Sequence, residues 1–226
     1  MIRLVPSTKV EASDEDLYAA WERGDDGAAD RLLGRHLQAV GRFFANKVRD
    51  PSDAEDQTCK VFEVVTRRLG TFERRSSFRS YLFGIAHNVL RDYVKAVSRR
   101  PDDIDFTESA VRDFAPSPSS IIGRRQEEQL LLVALRAIPL QCQIVLELSF
   151  FEGMTQAEIA AILSLPPGTV ATRIRRGKQL LDEQMHALAA SPNVLTSTMQ
   201  ALQDWADGLR LQLADVEGAS SSGRNP

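Results

Sequence analysis

The chain has only two cysteines in 226 residues, Cys59 and Cys142. They lie far apart and neither has metal-ligand spacing, which argues against a disulfide framework or a cysteine zinc site. No apolar run approaches the length of a membrane span, and the N-terminus carries no apolar signal core. The expectation is a soluble, cytoplasmic protein without membrane insertion. Strand patterning is missing, and with it any Gly-rich phosphate loop that would follow a strand. The three histidines, His36, His87 and His186, fall on separate predicted helices with no carboxylate or cysteine at useful local spacing. No catalytic constellation forms, so no enzyme activity, cofactor or metal is expected. A strong charge of one sign is also absent. The net charge of −3 argues against a protein that simply coats nucleic acid. There is no internal repeat.

What is present is helical periodicity and segregated charge. Between Arg67 and Arg100 stand nine Arg or Lys and two Asp or Glu, whereas between Pro101 and Ser120 stand five acidic residues and one basic. Local charge decides which surface can meet DNA. Residues 1–13 read as a loose arm. Residues 14–33 read as helical, with Leu17, Trp21, Ala28, Leu32 and Leu33 apolar. Gly24 and Gly27 can end one helix and begin another. Leu37, Val40, Phe43 and Phe44 continue an apolar stripe that reads as core. Asp50-Pro51-Ser52-Asp53-Ala54-Glu55-Asp56 opens the next helix, because proline suits a first turn and acids favour the positive end of the dipole. The acids Asp53, Glu55 and Asp56 therefore read as capping or protein-contact groups rather than metal ligands. This helix runs to about residue 69, with Val61, Phe62, Val65 and Leu69 inward. After a polar loop, Phe78, Leu82, Ile85, Val89 and Tyr93 recur at steps of three and four, which predicts a helix over 78–97. Its outer face carries Arg79, His87, Asn88, Arg91 and Lys95.

Residues 101–120 hold Pro101, Pro116, Pro118 and a cluster of Asp102, Asp103 and Asp105 without a sustained period, and read as an acidic linker at a domain boundary. Residues 124–138 are helical by pattern, with Leu130, Val133 and Leu135 apolar, and Pro139 ends them. A very apolar helix follows over 141–151. The stretch 153–183 then reads as helix, tight turn, helix. Thr155 and Glu158 form a capping box, and Ile159, Ile162 and Leu163 share one face. Pro166 and Pro167 stop the first helix and pre-set the second. In the second helix Val170, Ile174, Gly177 and Leu181 fall on one side, with Thr172, Arg175, Arg176 and Gln179 on the other. That arrangement suits a helix entering a DNA major groove, or an ordinary hairpin with a solvated basic face. The fold class is thus all-α: two small helical domains, 14–100 and 121–188, joined by the linker at 101–120. Beyond them, Leu195, Met199, Leu202, Trp205, Leu209 and Leu213 predict an amphipathic helix within 191–215, before a Ser/Gly-rich disordered tail at 216–226.

In the basic segment, Phe72, Arg74, Arg75, Ser76, Ser77, Phe78, Arg79 and Tyr81 interleave aromatic, basic and small polar groups. Basic side chains neutralise phosphates, and aromatics can hold an unstacked base, so a loop beside a basic helix can receive a base taken out of the duplex. A solvated basic helix with ordinary core aromatics is the alternative; Phe78 fits it well and Phe72, in the loop, less well.

Two separated signatures agree in order and spacing. Asp-Pro-Ser-Asp-Ala-Glu-Asp followed by Val61-Phe62, then the run from Ser77 to Asn88 and Asp92-Tyr93, resembles the second conserved region of extracytoplasmic-function sigma factors. The run from Gly153 to Ala160, then Pro167-Gly168-Thr169-Val170 and Arg173-Ile174, resembles their fourth region. The resemblance spans roughly residues 14–186. It implies a bacterial RNA polymerase subunit that recruits core enzyme to a promoter, with core polymerase (β′ clamp helices and β flap), promoter DNA and an anti-sigma factor or other regulator as partners. By resemblance, Asp53, Ala54, Glu55, Asp56, Cys59, Lys60 and Phe62 dock on the clamp helices. Phe72, Arg74, Arg75, Ser76, Ser77, Arg79, Tyr81, His87, Asn88, Arg91 and Lys95 would melt and hold the minus-10 element. Thr169, Ala171, Thr172, Arg173, Arg175, Arg176, Lys178 and Gln179 would read and grip the minus-35 element. The linker's acids would mimic nucleic acid in the polymerase channels.

The sequence departs from the family pattern at Cys59 and Lys60, where Gln and an acid are usual. Tyr81 stands for a usual Trp, His87 for a usual Arg, and Ala171 where a basic residue is frequent. The runner-up reading is a helix-turn-helix regulator that is not a polymerase subunit; a third is a decoy that only binds a regulator, for which the basic 67–100 segment would be idle.

Overall fold

A computed structural model describes residues 12–97 and 126–188, with side chains from residue 131 in the second stretch. The expected N-terminal arm, the acidic linker, the amphipathic helix within 191–215 and the tail lie outside the described residues. The described chain is built of helices: α1 (Asp14–Glu22), α2 (Asp26–Ala45), α3 (Pro51–Arg67), α4 (Phe78–Val97), α5 (Gln126–Ala137), α6 (Leu140–Leu146) continued by a π turn (Glu147–Phe151), α7 (Gln156–Leu163) and α8 (Pro167–Leu188).

Four of the helix starts have a local side-chain cap. Ser13 caps α1: its hydroxyl accepts from the Asp16 amide at 3.1 Å while the Asp16 carboxylate accepts from the Ser13 amide at 3.3 Å. Gly24 turns the chain with φ +92°, and the Asp25 carboxylate then caps α2 by accepting from the Ala28 amide at 3.0 Å. Asp50 caps α3, with Pro51 in its first turn, as its sequence predicts. The Thr155–Glu158 capping box forms at α7, with the Thr155 amide donating to Glu158 at 2.8 Å.

α1 to α4 wrap a core of Leu32, Val40, Phe44, Val61, Phe78, Leu82, Phe83 and Leu90. α5, α6 and α8 close a second core around Leu131, Leu135, Ile138, Cys142, Leu146, Leu181 and Met185. The two halves also share a core. Leu140, Ile144, Val145, Leu148, Met154, Ile159 and Val170 of the second half are buried in one cluster with the residues of the first. The cause lies in α6, every residue of which is buried. A helix buried on every side, its two glutamines included, must be covered from both halves. Its Cys142 and Leu146 serve the second core while its Ile144 and Val145, with Leu148 of the π turn, serve the shared one.

Three residues expected inward are exposed instead. Leu69 is 37% exposed because α3 ends at Arg67 and the helical period no longer governs it. Leu37 is 53% exposed, on the rim of a shallow groove between α2 and α3. Val133 is 39% exposed, on the side of α5 away from Leu131, Leu132 and Leu135. Conversely His36 is buried, its Nε2 2.6 Å from Asp14 Oδ2.

Candidate nucleic-acid interface

On α3 the period of the helix sorts the expected docking residues. Glu55, Asp56, Cys59 and Lys60 are exposed along one side, and Phe62 is half-buried. Ala54 points inward and is buried, with Thr58 donating its hydroxyl to the Ala54 carbonyl at 2.7 Å, so it supports this face from beneath and offers no contact surface. Asp53 is half-buried and accepts a 2.8 Å hydrogen bond from the Tyr93 hydroxyl. Burial and this carboxylate push the Tyr93 phenol up to about 12. That bond ties α3 to the far end of α4. Leu33, Leu37, Cys59, Phe62 and Glu63 line the neighbouring groove.

The loop before α4 and α4 itself carry the expected minus-10 residues. Arg75, Ser76 and Ser77 are exposed, and Arg75 pairs with Glu73 at 2.8 Å. Arg74 adopts φ +54° and pairs with Glu22 of α1 at 2.5 Å. Phe72 does not stand free in the loop. It is 6% exposed, packed on Tyr18 at 5.2 Å, Tyr81 at 5.0 Å and Phe78 at 5.8 Å between ring centres. The loop folds back so that its one large apolar ring joins the core, as burial energetics favour. Phe72 is thus placed to set the loop's shape rather than to receive a base in this arrangement. Tyr81 is half-buried on its outer side. Asn88, Arg91 and Lys95 are exposed. His87 is half-buried, and burial followed by the charges of Arg91 and Arg173 lowers its imidazole to about 4.

On α8, Thr172, Arg175, Arg176 and Gln179 are exposed and, with Leu180, line a concave patch. Opposite them Val170, Gly177 and Leu181 are buried, as the sequence predicts. Thr172 donates its hydroxyl back to the Gly168 carbonyl at 2.9 Å and Gln179 donates to Glu183 at 3.1 Å. Thr169, Ala171, Arg173 and Lys178 are half-buried, and the Lys178 ammonium lies 4.7 Å from the centre of the Phe150 ring. Ser164 closes α7 in the left-handed region at φ +52°.

A set of charged residues that sequence periodicity passes over joins the halves. Lys47 is fully buried and donates to Glu147 at 2.5 Å and to the Phe43 carbonyl at 2.9 Å. Burial pulls the Lys47 ammonium below the usual lysine range, and Glu147 opposes that pull. Glu152, also buried, accepts from Arg42 at 3.0 Å and from Arg79. Ser80 donates to Glu158 at 3.2 Å, and Gln143 donates to the Asn46 carbonyl at 3.1 Å. The one local signal is that Glu147 is the only charged residue between Leu140 and Phe151. Among the described residues no group of three or more His, Cys, Asp or Glu could hold a metal ion, and no helix is long and apolar enough to cross a membrane.

Comparison with known proteins agrees with this geometry. Residues 32–100 match the family model for sigma-70 region 2, and residues 128–181 match that for sigma-70 region 4. The RNA polymerase sigma-H factor of Pseudomonas aeruginosa is 29% identical over 184 residues, covering 77% of this chain and 95% of that protein. The ECF RNA polymerase sigma-E factor of Escherichia coli K12 is 27% identical over 186 residues, 78% of this chain and 96% of that one. Among solved structures, CnrH in complex with the cytosolic domain of CnrY superposes with a TM-score of 0.60 at 23% identity, covering 79% of this chain and 100% of that one. The sigma factor RpoE of Bartonella quintana, in complex with the anti-sigma factor NepR, superposes with a TM-score of 0.56 at 22% identity, covering 73% and 99%. Two successive sigma regions, on a helical frame with a basic face on α4 and another on α8, identify the chain as a member of the sigma-70 family of RNA polymerase sigma factors, of the extracytoplasmic-function type.

Proposed function

We propose that this sigma factor divides promoter recognition between two units, 14–100 and 121–188, joined by the linker at 101–120. The exposed side of α3, with Glu55, Asp56, Cys59 and Lys60, meets the clamp helices of core polymerase. Lys60 places a cation in that otherwise acidic row. Arg75, Ser76 and Ser77 in the loop, with Asn88, Arg91 and Lys95 on α4, hold the minus-10 element. Thr172, Arg175, Arg176 and Gln179 on α8 face the minus-35 element, the arginines neutralising phosphates or meeting guanine edges. The protein contributes specificity and strand opening, with no catalytic step of its own, and it works in the cytoplasm where polymerase and promoter are. One of the solved relatives is held by an anti-sigma factor, and we extend that class of regulator to this chain.

The observation that carries the reading is the presence of two separate exposed basic faces, Arg91 with Lys95 and Arg175 with Arg176, one in each matched sigma region. A stand-alone regulator has no use for the first. In vitro transcription with core polymerase over fragmented host DNA, followed by start-site mapping, tests it. Start sites that need both the protein and core enzyme, and that share two upstream elements, are the expected result. Specific duplex binding by the protein alone, with no effect on core polymerase, would replace this reading with the lone regulator.

A further inference from the structure

The loop between α3 and α4, which the functional reading above sets against the minus-10 element, is fastened at both ends. On its near side the Gly70 amide donates to the Tyr18 hydroxyl at 3.0 Å, and the Phe72 ring packs on the Tyr18 ring. On its far side the Ser77 hydroxyl accepts from the Ser80 amide at 3.1 Å, at the start of α4. Residues 73–76 lie between these anchors. The pair of Arg75 with Glu73 stays inside the loop, its side chains 85% and 65% exposed, and ties nothing to a helix. Arg74 instead reaches out of the loop to Glu22 of α1, at 2.5 Å.

Both members of that pair stand where their residue type is locally disfavoured. Arg74 has φ +54°, a left-handed conformation that glycine adopts freely and a residue with a Cβ does not. Glu22 is a carboxylate in the last turn of α1, at the negative end of the helix dipole. Either choice alone costs stability. Together they answer each other, because in the observed turn the Arg74 guanidinium reaches α1 and sets a cation beside that terminus. An exposed ion pair adds little net stability. Strain kept for so small a return points to a use for the shape of the loop.

We propose that Glu22 is a positioning residue for the minus-10 element: by holding Arg74 in its left-handed turn, it sets the loop shape in which Arg75, Ser76 and Ser77 meet the DNA. Arg74 is then a strut facing α1 rather than a phosphate contact, although it belongs to the same basic run. Helix α1, which carries no residue assigned to DNA, enters promoter recognition through Tyr18 and Glu22. Without the pair the loop samples other shapes. The fraction of molecules ready to take the opened strand falls, and apparent affinity for the element falls with it. The inference rests on the sigma reading and adds to it the device that shapes the loop.

Transcription by the full chain with core polymerase, at a promoter mapped as above, tests it beside urea unfolding of each variant. Glu22→Gln keeps the outline of the side chain and removes its charge. It should lower initiation about two- to fivefold, the range for losing an exposed ion pair, and relax discrimination against single substitutions in the minus-10 element. Its urea midpoint should stay within the scatter of a surface substitution. Arg74→Ala should act alike and leave the salt slope of promoter binding unchanged, since no phosphate contact is lost. Arg74→Gly, for which the left-handed turn is easy, should retain more initiation than Arg74→Ala. Exchanging the charges, Glu22→Arg with Arg74→Glu, should recover initiation toward wild type, because the pair re-forms in reverse. Unchanged initiation in Glu22→Gln, a folded exchange variant no better than Glu22→Gln, or a urea midpoint that falls in step with initiation would overturn the positioning role. So would a salt slope reduced by about 1 in Arg74→Ala, the mark of a direct phosphate contact. Wild-type protein that gives no promoter-specific starts with core polymerase would sink the sigma reading and this inference with it; normal wild-type starts beside any of the preceding results would sink this inference alone.

Discussion

Phe72 gives the sharpest separation between a structural and a DNA-contacting role. Its ring is 6% exposed and meets three aromatic neighbours between 5.0 and 5.8 Å away. Truncating a buried Phe to Ala costs about 3–5 kcal/mol, because transfer energy and a cavity term add. Phe72 sits where a loop joins the core, so part of the space can close, and the lower end, about 3 kcal/mol, is expected for Phe72→Ala. With a urea slope of about 1–3 kcal/mol per molar for a chain of this size, the unfolding midpoint should fall by about 1 M or more. Phe72→Leu, which keeps most of the volume, should cost about 1 kcal/mol. Equilibrium urea unfolding followed by circular dichroism measures both. Transcription with core polymerase, run well below each variant's transition, then reads whether any promoter-opening defect remains once folding is accounted for. A Phe72→Ala midpoint within the scatter of a surface substitution, about 0.5 kcal/mol, would refute the packing argument and return the ring to the base-holding role that its loop position first implies.

Further expectations can be checked the same way. Gly177 lets α8 approach α6: a Cβ there would lie 3.1 Å from Leu146 Cγ and 3.3 Å from Cys142 Cβ, so Gly177→Val should destabilise by about 1–3 kcal/mol in thermal unfolding through overpacking. His87, lowered to about 4 by its burial and by Arg91 and Arg173, binds its proton more weakly folded than unfolded. Its contribution is therefore full above the ordinary value of about 6.5 and is lost as pH falls from there toward 4, by up to about 3 kcal/mol. His87→Gln should flatten that part of the stability–pH curve, and an unchanged slope would show that the imidazole is not held neutral. Arg175→Ala with Arg176→Ala should weaken minus-35-dependent initiation and reduce the salt slope of promoter binding by about 2; identical footprints across salt would contradict the α8 assignment.

What the sequence made legible was local. The steps of three and four from Phe78 to Tyr93 define α4 from its first residue, and the Thr155–Glu158 box and Pro167 fix the hairpin that presents α8. The apolar side of α8, Val170, Gly177 and Leu181, is buried as its period requires. The misses share one physical cause, dependence on what packs from elsewhere in the chain. Phe72 is buried by Tyr18 across a separation that no window of helical period spans. His36 is buried because Asp14 reaches it from α1. Lys47, Glu147 and Glu152 find their partners across the two halves, so no helical window holds both members of a pair. Leu69 was misplaced for a simpler reason, since the helix stops before it.

The double-sided burial of α6 bears on how the protein is made. Leu140, Ile144, Val145 and Leu148 share one buried cluster with residues of helices that precede them by some forty residues or more, as well as with Met154, Ile159 and Val170 that follow. Synthesis delivers those helices first, and domains generally fold as units in that order. When α6 leaves the ribosome, the part of its landing surface that the first half supplies is therefore already built. A fragment starting at residue 126 would lack it, would carry this greasy strip into water, and would be prone to self-associate, whereas the first half carries most of its own core and should be the better behaved fragment.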